Sequence, residues 1–88
     1  YAIEHPVLIA EILSPSTADY DRGTKLTAYL KLPSLKEYVL IDPEARGVEL
    51  YRRNPDGTWL LMDCTMHGEL RLESVDLSVP VAMLFEGL

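Results

Sequence analysis

The sequence predicts an α/β fold in which a strand, a helix and a second strand form a βαβ unit, followed by an antiparallel hairpin. Three observations predict it. Residues 7–13 form a nearly continuous apolar run, a later segment carries apolar residues at helical spacing, and two alternating segments are joined by a turn motif. Continuous apolar runs are typical of strands covered on both faces. Alternation of apolar and polar residues is typical of strands with one face toward solvent. We therefore expect a parallel and an antiparallel part.

The βαβ unit is expected to begin with a strand over Val7–Leu13, which ends near Pro15 because proline has no amide hydrogen to donate. The helix is expected from about Ala18 to Lys31, where apolar residues follow the i, i+3, i+4 spacing of a buried stripe. Glu37–Ile41 is the second strand. A crossover that contains a helix connects parallel strands, so these two are expected to be parallel.

The hairpin is expected over Val48–Arg52 and Thr58–Met62, because both segments alternate and residues 54–57 read Asn-Pro-Asp-Gly, a strong turn motif. A short strand near Leu70–Leu72 and a helical turn from Pro80 to Phe85 complete the predicted elements. No internal repeat or linker interrupts them.

Length and composition describe one globular domain over residues 1–88. With 88 residues and 48% hydrophobic side chains, the chain buries roughly 60–65% of its unfolded surface, which is enough for one modest core. No run approaches the ~18 apolar residues of a membrane span, and the first residues lack the pattern of a signal peptide. Cys64 is the single cysteine, which excludes an internal disulfide. We expect a soluble, cytoplasmic protein with no membrane partner.

The net charge of −6 argues at first against a nucleic-acid partner, because phosphate binding draws on lysine and arginine. Charge is screened over roughly 10 Å, so its local distribution counts for more than its total. The chain also begins at Tyr1 without an initiator methionine and enters a strand within a few residues. We therefore expect upstream sequence to be missing, so that the charge is that of a fragment.

Glu11 is anomalous because it interrupts the most apolar strand of the sequence. A buried carboxylate requires a cation, hydrogen-bond donors or a metal ion. Lys25 lies on the following helix, four residues after Asp21 and four before Tyr29, and a crossover helix can bring it to the Glu11 face. Structural interpretations stay open: Glu11 lies at a solvent-exposed strand end or in an ion pair, and Lys25 forms a surface pair with Asp21. The functional interpretation is a site in which the ammonium group stabilises charge developing on a phosphate.

Four segments together resemble the bacterial Uma-two family, long known as a domain of unknown function. They are His5–Thr17, Tyr20–Lys25, Glu37–Asp42 and Val48–Arg53. The most specific part is the Glu-x-Leu-Ser-Pro-Ser-Thr segment that starts at Glu11, followed at a fixed distance by Asp-Arg-Gly-x-Lys. The resemblance covers nearly the whole chain.

The resemblance implies a restriction-endonuclease-like fold of the PD-(D/E)XK nuclease superfamily, and Mg²⁺-dependent hydrolysis of phosphodiester bonds in nucleic acid, with DNA as the expected substrate. Glu11 matches the acidic metal ligand, and the backbone carbonyl of Ile12 is a further ligand. Lys25 matches the catalytic lysine displaced to the helix, because Leu13 stands where that lysine usually lies. Asp21 matches an acidic position that orients Lys25.

Two departures from the family pattern limit these expectations. The first catalytic aspartate lies on an upstream strand that this sequence does not contain, and Val7 stands where many relatives carry aspartate. Mg²⁺ requires several oxygen ligands. The 88 residues are therefore expected to be the C-terminal half of a nuclease domain, metal-poor and inactive alone. The alternative is a non-catalytic dimerisation or interaction module that keeps the fold, since unpaired strand edges favour a homodimer.

Overall fold

The computed structural model describes residues 6–14, 21–65 and 68–85, with the backbone alone at residues 21 and 22. Its main sheet has the strand order β1-β2-β3-β4. The strands are β1 (Leu8–Ile12), β2 (Glu37–Asp42), β3 (Gly47–Arg53) and β4 (Trp59–Asp63). β1 and β2 are parallel, and the pairs β2–β3 and β3–β4 are antiparallel. The predicted parallel pair and hairpin are both confirmed.

The crossover between β1 and β2 contains a π-helical turn, Asp21–Lys25, that continues into a short helix α1 (Leu26–Leu30). The helix ends near the predicted position, where the amide of Leu32 donates to the carbonyl of Tyr29. The predicted start at Ala18 lies outside the described residues. A π-helix has a wider turn than an α-helix, so the α-helical spacing expected between residues 21 and 25 is wrong. No helix in the described ranges is long and apolar enough to cross a membrane.

A second, two-stranded sheet follows the hairpin, formed by β5 (Glu69–Leu72) and β6 (Leu77–Pro80). The predicted strand near residue 71 is confirmed, but β6 was not predicted. The predicted final helical turn is a 3₁₀ turn over Val81–Phe85, and Pro80 belongs to the strand before it. Asp76 adopts a left-handed conformation (φ 51°) that reverses the chain into β6. A proline in a short segment argues against a strand unless it lies at the strand end, as here.

The main sheet is covered on both faces, and each face has its own hydrophobic cluster. On the face toward α1, the buried residues include Leu26 of the helix and Tyr38 and Leu40 of β2. The opposite face packs against the second sheet and the last 3₁₀ turn, through Val39, Ile41, Val48, Leu50, Leu70, Leu72, Val81 and Phe85. Because side chains alternate along a strand, β2 supplies both clusters and is buried almost throughout.

β1 is less covered than its sequence predicts. It pairs with β2 alone among the described residues, and Ala10 and Ile12 are exposed, Ile12 to 55%. The prediction that this strand is covered on both faces is therefore wrong for the residues that the structure describes. The physical reason is that the second sheet packs over β2 and β3 and does not cover Ala10 and Ile12 of β1.

Candidate functional site

An ion pair joins β1 to the crossover helix on one face of the main sheet. The Lys25 ammonium nitrogen lies 3.2 Å from Oε2 of Glu11 and 3.2 Å from Oε1. The side chain of Glu11 is 20% exposed and that of Lys25 is 31% exposed. Lys25 thus reaches the Glu11 face, as the crossover geometry predicts, and the pair is partly shielded from water.

The strand register explains how these two side chains meet. Glu11 pairs with Leu40 of β2, whose side chain is buried in the cluster beneath α1, so Glu11 points toward the helix. Lys25 ends the π-helical turn immediately before the buried Leu26. Leu26 fixes the backbone at this point, and the long lysine stem carries the ammonium group back to the strand. The pair therefore places one carboxylate and one ammonium group at a partly exposed position on the face of the sheet.

The other residues predicted near this pair are arranged differently. The side chain of Ile12 alternates to the opposite face of the sheet, so that residue can contribute only its backbone carbonyl here. The side chain of Asp21 lies outside the described residues. Tyr29 packs its ring against Tyr38 with the centroids 5.6 Å apart, at the edge of the hydrophobic cluster beneath α1.

The fit to a divalent ion is limited by the number of oxygen ligands. Among the described residues, no group of three histidine, cysteine, aspartate or glutamate side chains is placed to hold a metal ion. Glu49 and Asp63 stand in the same row as Glu11, but Leu40 of β2 separates them from it. Two strand spacings place Glu49 roughly 10 Å from Glu11. In this row, Glu11 is the carboxylate that pairs with Lys25.

Arg52 and Arg53 are used for contacts within the protein. The guanidinium carbon of Arg53 lies 4.6 Å from the ring centroid of Trp59, and its Nη2 donates to the carbonyls of Leu30 and Leu32 at 3.2 and 2.8 Å. Arg52 donates from Nε to Glu37 at 3.0 Å. Contacts within the protein therefore account for both arginines and for the ring of Trp59.

A second charged cluster, centred on Glu37, was not predicted. This carboxylate is only 1% exposed and accepts hydrogen bonds from Arg52 Nε and from the amide of Ser74 at 2.7 Å. Burial raises the pKa of Glu37, but the hydrogen bonds from the Ser74 amide and the Arg52 guanidinium outweigh it, so the pKa lies below its usual value. The cluster ties the second sheet to the first.

The Glu37 cluster was detectable in principle from the hairpin register. Counting back from the β2–β3 turn places Glu37 opposite Arg52, and a glutamate that begins a buried strand requires such a partner. A groove of about 390 Å³ opens beside the cluster, next to Lys36, Asn54 and Glu73. Neither Glu11 nor Lys25 lines this groove. It is therefore separate from the candidate site.

Comparison with known proteins identifies the family. A family model for Uma2, described as "Putative restriction endonuclease", matches residues 1–82. The chain belongs to the Uma2 family. An uncharacterized protein of Synechocystis sp. (strain PCC 6803) is 40% identical over 86 residues, which cover 98% of this chain and 45% of that protein. A second from the same organism is 44% identical over 62 residues, covering 70% and 35% of the two chains.

A solved structure shares the fold of this chain. The crystal structure of a "putative nuclease belonging to DUF820" from Anabaena variabilis superposes with a TM-score of 0.63 and 23% identity, over 96% of this chain and 46% of that one. At this identity the similarity shows the fold: a mixed α/β, nuclease-like architecture of which this chain forms a part. The Uma2 chain spans less than half the length of each of these three proteins.

Proposed function

We propose that this chain is the C-terminal half of a Uma2 nuclease domain, and that the complete domain hydrolyses phosphodiester bonds in nucleic acid, with DNA as the substrate. The observation that carries the proposal is the Glu11–Lys25 pair: a carboxylate and an ammonium group 3.2 Å apart, from two elements that the crossover brings together. The family description and the nuclease-like fold support the reaction class.

In this proposal Glu11 is a ligand of Mg²⁺, together with the backbone carbonyl of Ile12. A bound magnesium ion would polarise the phosphate and lower the pKa of a water ligand. Lys25 would stabilise the negative charge that develops on the phosphate oxygens, because a fixed ammonium group needs little reorganisation during the reaction. Glu11 holds that ammonium group in place before substrate arrives.

We further propose that this chain is inactive on its own. Glu11 and one carbonyl leave most positions of an octahedral magnesium ion to water, and such a site binds weakly. Calorimetric titration of the chain with Mg²⁺ and Mn²⁺ tests this, with Glu11→Ala as the comparison. We expect no saturable binding. Tight binding that Glu11→Ala abolishes would show instead that the chain holds a complete metal site.

The catalytic roles are tested by cleavage of plasmid and oligonucleotide substrates with Mg²⁺, using the full-length polypeptide that carries this segment. We expect Glu11→Gln and Lys25→Ala each to lower the cleavage rate at least about 100-fold, the usual loss when a group that stabilises transition-state charge is removed. Lys31→Ala and Glu44→Gln are matched controls, because both residues are exposed. Equal rates in wild type and all four variants would reject the mechanism.

Self-association through a strand edge is a second candidate function. Among the described residues, β4 pairs with β3 alone, and its Leu60 and Leu61 are 47% and 53% exposed. An apolar edge strand is a template for pairing with a second copy of the chain. Sedimentation would then detect a homodimer that Leu61→Lys dissociates and Met83→Lys, an equally exposed site away from β4, leaves intact. A monomeric wild type contradicts this candidate.

We also propose a cytoplasmic location. The support is chemical: Cys64 is a free thiol buried in the core, which a reducing compartment preserves. Cell fractionation with an antibody against the full-length polypeptide tests it, and recovery in the membrane fraction or the medium would contradict it.

A further inference from the structure

Arg53 joins the hairpin to the C-terminal end of the helix that follows Lys25. Its Nη2 donates to the carbonyls of Leu30, the last residue of α1, and Leu32. The last carbonyls of a helix have no partner within the helix, so the bond to Leu30 satisfies a group that would otherwise need water, whereas the Leu32 carbonyl also accepts the amide of Leu35 at 3.2 Å. We call Arg53, Trp59 and these two carbonyls the arginine clamp.

The clamp holds Arg53 itself in one orientation. The guanidinium carbon lies over the Trp59 ring, 4.6 Å from its centroid, and the backbone amide of Arg53 donates to the carbonyl of Lys36 at 2.9 Å. The Trp59 ring on one side and the two carbonyls that accept from Nη2 leave the Arg53 side chain little freedom to change its rotamer. A lysine has neither the planar group nor the geometry to make both contacts at once.

The helix needs such a tie because it is short. α1 has five residues and continues a π-helical turn of five, and isolated helices shorter than about 12–15 residues are marginal in water. Its buried contact is made by Leu26, with Tyr29 and Leu30 packing at the edge of the same cluster. Tertiary contacts at its two ends therefore decide where it lies.

The two ends are tied to opposite sides of β2. At the start, Lys25 pairs with Glu11 of β1, and at the end Leu30 accepts from Arg53 of β3. β1 and β3 are the two neighbours of β2 in the sheet. If the clamp is removed, one end of α1 loses its polar tie to the sheet, and less than about 10 Å of helix separates that end from Lys25.

We infer that Arg53 is a positioning residue for the candidate site: it acts through α1 to hold the Lys25 ammonium group beside Glu11. The catalytic consequence rests on the proposed nuclease function, whereas the geometric consequence does not. Arg53 itself contacts neither member of the pair, and Arg46, whose guanidinium lies 4.7 Å from the Phe85 ring centroid on the other cluster, offers a matched control.

The geometric consequence is tested by NMR on the full chain, using the ¹⁵N signal of the Lys25 ammonium group. Glu11→Gln, with no other substitution, should shift this ¹⁵N signal. The size of the shift measures how closely Glu11 and Lys25 pair. We expect Arg53→Met to reduce the shift by at least half, Arg53→Lys to reduce it less, and Arg46→Met to leave it unchanged. An undiminished shift in Arg53→Met overturns the inference, and so does an equal reduction in Arg46→Met.

A second variant covers the case in which Arg53→Met fails to fold. Trp59→Leu removes the stacking surface but leaves the arginine, and we expect it to reduce the same shift in a folded chain. The catalytic arm uses the full-length polypeptide, where Arg53→Met should lower kcat about tenfold with KM unchanged, and Arg53→Lys should restore part of it. If the wild type cleaves nothing, the nuclease proposal fails and the NMR result still decides the role of Arg53.

Discussion

The ammonium nitrogen of Lys25 lies 3.2 Å from the Glu11 carboxylate, although 14 positions separate the two residues in the chain. The contact bridges β1 and the helical crossover, so it reports on both the fold and the candidate site. Each side chain is less than one-third exposed.

The Glu11–Lys25 pair should contribute measurably to stability. Partial shielding strengthens the attraction, and ordering of the long lysine stem opposes it, so we expect a coupling free energy of about 0.5–1 kcal/mol. A double-mutant cycle with Glu11→Gln and Lys25→Met, followed by urea denaturation, measures it. The same cycle with Lys31→Met in place of Lys25→Met should give zero. A zero coupling for Lys25 as well would mean that the pair is not held in solution.

Glu37 should give stability a defined dependence on pH. Its pKa in the folded protein is lowered from the usual 4.5. Because the pKa of Glu37 is lowered in the folded protein, its carboxylate stabilises the fold fully when the pH is above the pKa of the unfolded chain. This stabilisation is lost as the pH falls through the pKa of the folded protein. We expect Glu37→Gln to cost about 2 kcal/mol at pH 7. The difference between wild type and variant should shrink as the pH falls below 4.5.

Denaturant titrations of wild type and Glu37→Gln between pH 3 and pH 7 test the Glu37 prediction. Glu73→Gln is the control, because Glu73 also contacts Arg52, at 3.4 Å, but is 63% exposed. A Glu37→Gln penalty that stays the same down to the lowest pH would show that the carboxylate charge contributes nothing.

Two glycines should respond in opposite directions to alanine. Gly57 has a φ of 88° in the hairpin turn, where an L side chain is strained, whereas Gly23 lies in the π-helical turn with no positive φ. A Cβ atom meets nothing within 4 Å at either position. Gly57→Ala should therefore destabilise the protein by about 1 kcal/mol, and Gly23→Ala should stabilise it by about 0.5 kcal/mol. Thermal melting compares them, and a shift of the same sign in both variants is the contrary result.

Cys64 should react slowly in the folded protein. The residue is 6% exposed, and burial followed by the charge of Asp63 raises the pKa of its thiol. Because the thiolate is the reactive form, a disulfide reagent at pH 8 should modify the native chain at least about tenfold more slowly than the chain unfolded in guanidinium. Equal rates would place Cys64 at the surface.

The sequence by itself predicted the elements in which local pattern and chain connectivity agree. The apolar run before Pro15, the helical stripe and the Asn-Pro-Asp-Gly turn each specify their element locally, and the strand-helix-strand order makes β1 and β2 parallel. The same pattern predicted that Lys25 reaches the Glu11 face. What it did not predict was β6, because a four-residue segment that ends in proline has too little local pattern to identify a strand.

The contacts that depend on register were decided by the tertiary structure. Glu37 and Arg52 meet because the β2–β3 pairing places them opposite each other, and Arg53 reaches the end of α1 because β3 lies beside β2 beneath the helix. Burial of β1 was likewise decided by which surfaces the second sheet covers. Sequence patterns report local preference and alternation, whereas these contacts depend on which strands become neighbours. The sequence alone predicted the family and that Lys25 reaches the Glu11 face, and the fold decided which contacts surround the pair.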